Sequence, residues 1–291
     1  MTENAGRAAS GAPDQRPLHP VLAGSPLLIA HRGGAGLAPE NTMAAFLAAS
    51  ERWHSDMIEL DVRASADGRC VVIHDPTVDR TTDGSGQVAS FTYDELCRFD
   101  AGYHFTSDGG RTFPFRGRGV TIPTIEDVFA ALPHMRFTIE VKAGAAQSPL
   151  FDAIDRFACA ARVIAAGMHD RDRDLFHRHT GAVSASTEQV RAWMYRHLIG
   201  LGRWAGLRAD VVQVPERAEG MRIVTPRFVR ALHGRGILVH VWTINEAEDM
   251  RRLLACGVDG IVSDRPDVLA EVLHDVAGRR LPRAITESHD A

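Results

Sequence analysis

LLIAHR, residues 27–32, sets a histidine and an arginine directly after a short apolar run, and three later stretches repeat this arrangement. Short apolar runs bounded by polar residues predict buried strands. The later stretches are MIELD with Glu59 and Asp61, CVVIH with His74, and RFTIEVK with Glu140 and Lys142. In a barrel of parallel strands, the carboxyl ends all open onto one face, where functional groups collect. We therefore expect these seven side chains to meet in one mouth.

Strands and helices alternate along the rest of the chain, which favours a parallel α/β fold. Nine runs predict strands, namely residues 27–31, 57–62, 70–74, 136–142, 162–167, 182–186, 211–215, 238–243 and 260–264. Helix starts are indicated by Asn41 as an N-cap, by a capping box from Thr124 to Asp127, and by Thr225 before Pro226. A closed barrel has eight strands, so one of the nine is wrong, and AVSAS (182–186) is the weakest.

Two stretches interrupt this alternation. Between Asp61 and His74 the chain has an Asp67-Gly68 turn and no room for a helix, whereas a parallel crossover takes a dozen or more residues. Residues 75–122 have no sustained hydrophobic period, which is typical of a functional insertion or lid. We therefore predict an irregular α/β barrel with a small inserted subdomain after the third strand, over the barrel mouth.

The composition sets the domain boundaries. The 291 residues are 45% hydrophobic, enough for a large core, and a barrel of roughly 250 residues forms one domain. We expect residues 1–24 to be a disordered segment without a signal peptide, residues 25–275 to form the barrel, and residues 276–291 to be a flexible tail. No apolar run reaches the roughly 20 residues that a membrane span needs.

Charge and cysteine content narrow the classes of partner. The formal charge of −4 provides no basic surface for nucleic acid and no general attraction to an anionic membrane. Four cysteines are scattered singly, which is typical of thiols in a reducing compartment. Together with the missing signal peptide, this indicates a cytoplasmic protein.

Three carboxylates are candidate metal ligands. Glu59 and Asp61 lie two residues apart on a predicted strand, so both point to the same face, and Glu140 can add a third carboxylate from a distant strand. A ligand set made only of oxygen suits a hard cation, Mg²⁺ or Ca²⁺, rather than zinc. The alternative is a solvated strand end, although Asp and Glu are disfavoured in strands.

The basic side chains at these strand ends complete a possible catalytic set. Two histidines, His31 and His74, can divide acid and base work, although a single histidine is more often a structural hydrogen-bonding residue. Arg32 offers a planar fork and Lys142 a point charge for phosphate oxygens. The alternative for both cations is ion pairing with the acids themselves.

Six ordered motifs resemble those of the glycerophosphodiester phosphodiesterases. The motifs are HRGGAGLAPENT (31–42), ELDV (59–62), HD (74–75), EVK (140–142), WTIN (242–245) and GIVSDRP (260–266). The resemblance runs from about residue 27 to 270, and RTTDGSG (80–86) and IPTIED (122–127) look like the borders of the family's insertion. The probability that six motifs agree in order by chance is very small, whereas HD or EVK alone would carry no information.

The resemblance implies an irregular TIM (β/α)8 barrel with a small inserted domain. It implies one divalent metal ion, Mg²⁺ or Ca²⁺, on Glu59, Asp61 and Glu140. The remaining implied site residues are His31 and His74 as the acid/base pair, Arg32 and Lys142 on phosphate, Glu40 orienting the Arg32 loop, and Trp242 lining the pocket near the glycerol moiety, with ordinary barrel core as the alternative for Trp242.

Three further residues of the motifs have simpler interpretations. We expect Asn245 to be a helix cap and Asp264 to anchor the last barrel loop without a catalytic role. Asp75, which precedes Pro76, is expected to be a turn residue.

The implied reaction is metal-dependent hydrolysis of small glycerophosphodiesters to glycerol 3-phosphate and an alcohol. The attacking group is either water or the neighbouring glycerol hydroxyl. We favour the hydroxyl, in which case the reaction passes through a cyclic phosphate. One alternative is a lysophospholipase D acting on lysophospholipids. Another, from a different class, is a catalytically silent phosphate-binding barrel, against which the intact histidines and acids argue.

Three segments leave their role open. Residues 167–180 are dense in His, Asp and Arg, and we expect a solvated loop rather than an extra metal site. Residues 193–207 are apolar with interspersed basic residues; a barrel-covering helix is favoured over peripheral membrane contact. Aromatic residues of the insertion form either an apolar entrance or a small core; they are Tyr103, Phe105, Phe113 and Phe115.

Overall fold

The computed structural model describes residues 18–198, 206–207, 209–218 and 220–289. Its strands are β1 Leu27–His31, β2 Met57–Ala64, β3 Cys70–Val72, β4 Arg136–Val141, β5 Val163–Gly167, β6 Ala182–Val183, β7 Val211–Pro215, β8 Arg217–Ala218, β9 Met221–Arg222, β10 Leu238–Trp242 and β11 Gly260–Ser263. Eight of them are parallel in the order β6-β5-β4-β2-β1-β11-β10-β7. A bridge from Ser184 to Val211 brings the two edges together, so the sheet nearly closes into the predicted barrel.

Helices follow most barrel strands and cover the outside. They are α1 Met43–Leu47, α2 Tyr93–Leu96, α3 Ile125–Ala131, α4 Gln147–Arg156, α5 Thr187–Leu198, α6 Pro226–His233, α7 Ala247–Ala255, α8 Pro266–Ala277 and α9 Arg283–His289. Among the described residues, no helix has both the length and the apolar character needed to cross a membrane. The predicted capping box at Thr124 and the predicted N-cap at Thr225 are confirmed. The N-cap of α1 is Thr42, however, and not Asn41.

The extra predicted strand is the one at residues 70–74. β3 pairs antiparallel with β2 and stays off the barrel path, because the Asp67-Gly68 turn sends the chain straight back along β2. The doubtful AVSAS segment does supply a barrel strand, β6, although only Ala182 and Val183 are strand residues. Its shortness explains why its sequence pattern is weak.

The insertion between β3 and α3 has a hydrophobic core of its own. The buried members of this core are Val71, Ile73, Val78, Val88, Leu96, Ala101 and Ile122. The four aromatic residues singled out in the sequence lie outside it and contact one another or Arg116. Phe105 and Phe115 meet edge to face with 5.3 Å between ring centroids. The Arg116 guanidinium lies over Tyr103 and Phe113, at 4.1 and 3.8 Å from their ring centroids.

Residues before the first strand close the floor of the barrel. Val21 and Leu22 are buried in one cluster with residues from the barrel strands, among them Leu27, Ile29, Met57, Ile164, Val211 and Val262. Arg136 on β4 donates to the carbonyl oxygens of Val21 and Ala23. The barrel domain therefore includes residues that we expected to be disordered, since burying a side chain such as Leu contributes about 1.5–3 kcal/mol. Of the expected disordered segment, residues 1–17 lie outside the described residues.

The expected flexible tail also contains ordered structure. Helix α9 lies within it, and Ile285 of that helix is 3% exposed in a cluster with buried side chains of α6, α7 and α8. Residues 290–291 lie outside the described residues. The folded domain thus extends at least ten residues past the boundary expected at 275.

Candidate active site

The seven predicted side chains line one cavity of about 180 Å³ at the carboxyl ends of the barrel strands. Strand register explains why four of them meet. His31 at the end of β1 pairs with Glu59 on β2, and Asp61 pairs with Glu140 on β4. Three adjacent strands therefore carry the acids and one histidine at neighbouring levels. Sequence reasoning placed these side chains together, and the fold does so.

The three carboxylates form a compact oxygen cluster. Each of Glu59, Asp61 and Glu140 offers one ligand oxygen, and these oxygens all lie within 4.8 Å of one another. Glu59 and Asp61 are buried. Burial and the charge of Asp61 raise the pKa of Glu59. Buried carboxylates this close repel one another unless cations offset their charge. The donor set fits a hard divalent ion such as Mg²⁺ or Ca²⁺.

Two basic side chains lie against this cluster. Lys142 Nζ is 3.0 Å from Glu140 Oε2 and 3.2 Å from Asp61 Oδ1. Arg32 Nε is 3.2 Å from Asp61 Oδ2. Burial alone would raise the pKa of Asp61, but the two cations hold it below its usual value. The ion pairing that we considered as an alternative is thus present, and both cations also line the cavity.

Each histidine has an aspartate behind it. His31 Nδ1 donates to Asp264 Oδ1 at 2.6 Å, and His74 Nδ1 donates to Asp75 Oδ1 at 2.6 Å. Such a bond fixes the ring and its tautomer and leaves Nε2 as the reactive nitrogen. Burial opposes the charged form of His31, but the bond to Asp264 and the charge of Glu59 outweigh it and raise its pKa.

Asn245 and Asp264 have different roles from those expected. Glu246, not Asn245, is the N-cap of α7. The Asn245 amide donates to Asp264 Oδ2 at 2.9 Å, and its carbonyl oxygen accepts from the backbone N–H of Asp264. Asp264 does hold the last barrel loop, and it also orients His31. Asp75 likewise does more than form a turn, because it binds His74.

Two residues near Arg32 complete the network. Glu40 Oε1 accepts from Arg32 Nη1 at 2.8 Å, which is the contact expected of Glu40. Asn41 has a left-handed backbone with φ of 57°, and its amide donates to Asp61 Oδ2 at 2.9 Å. The sequence analysis missed this role of Asn41, because an Asn before a helix already suggests a cap. It also missed the contact between Arg80 and Glu40, because the RTTDGSG motif that begins at Arg80 was interpreted only as a border of the insertion.

The remaining wall of the cavity is less polar. Trp242 lines it with 38% of its surface exposed, so it is not barrel core, and Met168 lies on the same wall at 42% exposure. Deeper in the cavity, Thr138 and Gln213 bind each other through their side chains at 3.1–3.2 Å. The cavity thus has a charged side and a side of mixed aromatic and uncharged polar character.

The two ambiguous segments outside the insertion do not add a metal site within the described residues. In residues 167–180, short 3-10 turns contact the start of α5, with His169 bound to Glu188 and Asp170 bound to Ser186. In the 193–207 segment, Trp193 is 2% exposed and packs against Phe228. Residues 199–205 lie outside the described residues, so membrane contact there stays a prediction.

Comparisons with known proteins agree with one another. The family model described as "Glycerophosphoryl diester phosphodiesterase family" matches residues 31–268. A glycerophosphodiester phosphodiesterase of Caldanaerobacter subterraneus is 35% identical over 85% of this chain and 97% of its own length.

Two solved structures share the fold. One is the glycerophosphoryl diester phosphodiesterase domain of a Mycobacterium tuberculosis protein, with a TM-score of 0.74 and 23% identity over 87% of this chain and 100% of its own. The other is an Oleispira antarctica phosphodiesterase in complex with the product sn-glycerol-3-phosphate. It has a TM-score of 0.66 and 22% identity, over 86% of this chain and 97% of its own. At these identities the likeness concerns the fold alone.

Proposed function

The chain belongs to the glycerophosphoryl diester phosphodiesterase family, as its motifs indicated, and we propose that it hydrolyses small glycerophosphodiesters to sn-glycerol 3-phosphate and an alcohol. The observation that carries this proposal is the single cavity that holds three clustered carboxylates, two aspartate-bound histidines and two cations. The glycerol 3-phosphate in the Oleispira enzyme supports the choice of product.

Glu59, Asp61 and Glu140 would hold one divalent cation, Mg²⁺ or Ca²⁺. Their oxygens are close enough to share one ion, and their mutual repulsion would fall on binding. When bound, the ion polarises phosphoryl oxygens and offsets the negative charge that develops on them. Arg32 and Lys142 add positive charge on the same side of the cavity.

The two histidines supply the proton transfers. One Nε2 takes a proton from the attacking hydroxyl, and the other donates a proton to the oxygen of the leaving alcohol. Asp264 and Asp75 keep each ring in the tautomer that exposes Nε2 to the cavity. We favour attack by the neighbouring glycerol hydroxyl over direct attack by water. The first step would then release the alcohol and form a cyclic phosphate, which water would hydrolyse to glycerol 3-phosphate.

The substrate class rests on the character of the cavity walls. A glycerophosphodiester such as glycerophosphocholine fits a small, mostly charged cavity. A second candidate is a lysophospholipid, which would make the enzyme a lysophospholipase D; the exposed Trp242 and Met168 on one wall favour it. The four cysteines carry free thiols, which supports a reducing, cytoplasmic location.

A panel of substrates and metals tests this function. Protein stripped with EDTA receives Mg²⁺, Ca²⁺ or Mn²⁺, and release of glycerol 3-phosphate from glycerophosphocholine is compared with release of choline from lysophosphatidylcholine. We expect metal-dependent turnover of the first substrate. Full activity after exhaustive chelation would contradict the metal site, and preference for the second substrate would establish the lysophospholipase alternative.

A further inference from the structure

Arg80 of the insertion contacts both sides of the catalytic network. Its Nη1 and Nη2 donate to Glu40 Oε2 and Oε1, each at 2.7 Å, and its Nε donates to Asp75 Oδ2 at 2.5 Å. All three nitrogens of the guanidinium are therefore used. The Glu40 contact is bidentate, which is the strongest and most directional form of this ion pair.

These contacts complete a continuous chain across the mouth. Asp75 Oδ1 accepts from His74 Nδ1, while Glu40 Oε1 also accepts from Arg32 Nη1. Arg80 thus lies midway between the general acid/base residue His74 and the phosphate-binding residue Arg32.

The backbone around Arg80 is braced. Asp79 accepts hydrogen bonds from Ser85 and from the backbone N–H of Gly86. The Val78 N–H donates to the Gly86 carbonyl oxygen, and the Val78 carbonyl oxygen accepts from the Thr82 N–H. A side chain that projects from a turn held by several hydrogen bonds can keep its partners in fixed positions, as functional sites require.

We propose that Arg80 is a positioning residue for hydrolysis, which holds His74 through Asp75 and Arg32 through Glu40. An isolated exposed ion pair contributes little, but a bidentate pair within a network can. The charge state of Asp75 is consistent with this role. Burial alone would raise the pKa of Asp75, yet its bonds to Arg80 and His74 lower it to about 2. The proposal rests on the proposed function, because it assigns Arg80 to that reaction, and it gives the insertion a part in catalysis.

Without Arg80, two carboxylates lose their shared cation. Asp75 is then free to turn from His74, and Glu40 keeps only Arg32 as a partner among the residues that the structure describes. A second cavity of about 180 Å³ borders Arg80 and Glu40 beside His104 and Phe105. A small cation can therefore reach the place that the guanidinium leaves.

The test compares Arg80→Ala and Arg80→Lys with Arg118→Ala, which removes an exposed arginine of the same insertion. With glycerophosphocholine and the preferred metal, we expect kcat to fall about 10- to 100-fold in Arg80→Ala, as for other partners of site residues. Arg80→Lys should lose less, KM should change less than kcat, and Arg118→Ala should match the wild type. Guanidinium chloride at about 20 mM should restore part of kcat to Arg80→Ala alone.

An independent measurement follows the His74 ring. Nitrogen-15 NMR of the imidazole should show one tautomer in the wild type and a mixture in Arg80→Ala, with His74→Gln used for assignment. Equal kcat and an unchanged tautomer in Arg80→Ala would overturn the proposal. So would a loss of activity that matches a loss of folded protein and does not respond to guanidinium. If the wild type cleaves no glycerophosphodiester, the proposed function fails, and the NMR result still decides whether Arg80 positions His74.

Discussion

His31 and Asp264 stand 233 positions apart in the sequence, yet the Nδ1 of one lies 2.6 Å from the Oδ1 of the other. Strand β1 ends at His31, and Asp264 directly follows β11. The two strands are neighbours in the barrel, with Ala30 beside Ser263. The orientation of the His31 ring therefore depends on the pairing of the first and last strands. His74 obtains the same kind of partner from the next residue along the chain.

Removal of the Asp264 carboxylate should slow turnover without unfolding the protein. In Asp264→Asn the ring of His31 can adopt the wrong tautomer, so kcat should fall about 10- to 100-fold, while KM changes little. Steady-state kinetics on glycerophosphocholine measure both. Asp267→Asn is the control and should keep wild-type kcat, because Asp267 does not line the cavity and is bound to Arg265. Equal rates in both variants would contradict the role of Asp264.

Removal of either histidine should have a larger effect. Since general acid–base catalysis contributes about 10²- to 10⁴-fold, His31→Ala and His74→Ala should each lose activity in that range. The exposed His134→Ala is the matched control. Circular dichroism should show equal folding of all three proteins. Near-normal turnover in either active-site variant would contradict the acid/base assignment.

Metal binding should stabilise the fold independently of activity. A ligand that binds only the folded state at 100 times its dissociation constant adds about 2.7 kcal/mol to the free energy of unfolding. Titration of EDTA-treated protein with Mg²⁺ or Ca²⁺ in thermal melts measures this gain. Glu140→Gln should reduce the gain, whereas the exposed Glu248→Gln should leave it unchanged. Identical melts with and without metal would speak against the carboxylate site.

Gly36 should not tolerate a side chain. A Cβ there would lie 2.9 Å from the Asp264 carbonyl oxygen, which already accepts a bond from the Gly36 N–H at 3.0 Å. Gly36→Ala should therefore displace the last barrel loop, destabilise the protein by about 1–3 kcal/mol and lower kcat. Gly234→Ala, where the nearest atom lies at 3.4 Å, is the control. Chemical denaturation and kinetics test the pair, and equal behaviour would refute this steric argument.

His240 should make stability fall in mild acid. The side chain is fully buried inside the barrel, neither ring nitrogen has a hydrogen-bond partner among the described residues, and burial lowers its pKa to about 3. Below pH 6.5 the unfolded chain binds a proton that the folded chain excludes, so acid favours unfolding.

The loss attributable to His240 between pH 7.5 and pH 5 should be about 2 kcal/mol. Urea denaturation at the two pH values measures it. His240→Leu should lack this part of the pH dependence, and the exposed His134→Ala should retain it. Parallel pH profiles for the wild type and His240→Leu would show that His240 does not behave as a buried neutral base.

The sequence predicts the barrel and the seven converging side chains because both depend on local signals. Buried strands leave apolar runs, and parallel strands must expose their carboxyl ends on one face. This argument accounts for six of the seven side chains. His74 follows the antiparallel β3, so it reaches the cavity by a route that the argument did not include. The strand prediction was least accurate at β3 and β6. β3 has the apolar character of a barrel strand, and only its pairing with β2 keeps it outside. β6 has just two strand residues, too few for a period.

The partners of the site residues could not be predicted in the same way. Asp264, Asn245 and Asn41 occupy places where turns and caps commonly use Asp and Asn, so local chemistry explained them fully. Their bonds to His31, to one another and to Asp61 arise only when distant strands become neighbours. Arg80 is similar, since no spacing in the chain relates it to both Glu40 and Asp75.

The packing of Val21 and Leu22 against the barrel strands also determines where the protein can be shortened. A truncation chosen to start just before β1 would delete both side chains and leave the carbonyl-bound guanidinium of Arg136 without two of its acceptors. Leu27 and Ile29 would then border an open hole at the end opposite the cavity. Expression trials that begin at residue 18 should therefore yield folded enzyme, and those that begin at residue 25 should yield aggregation-prone material.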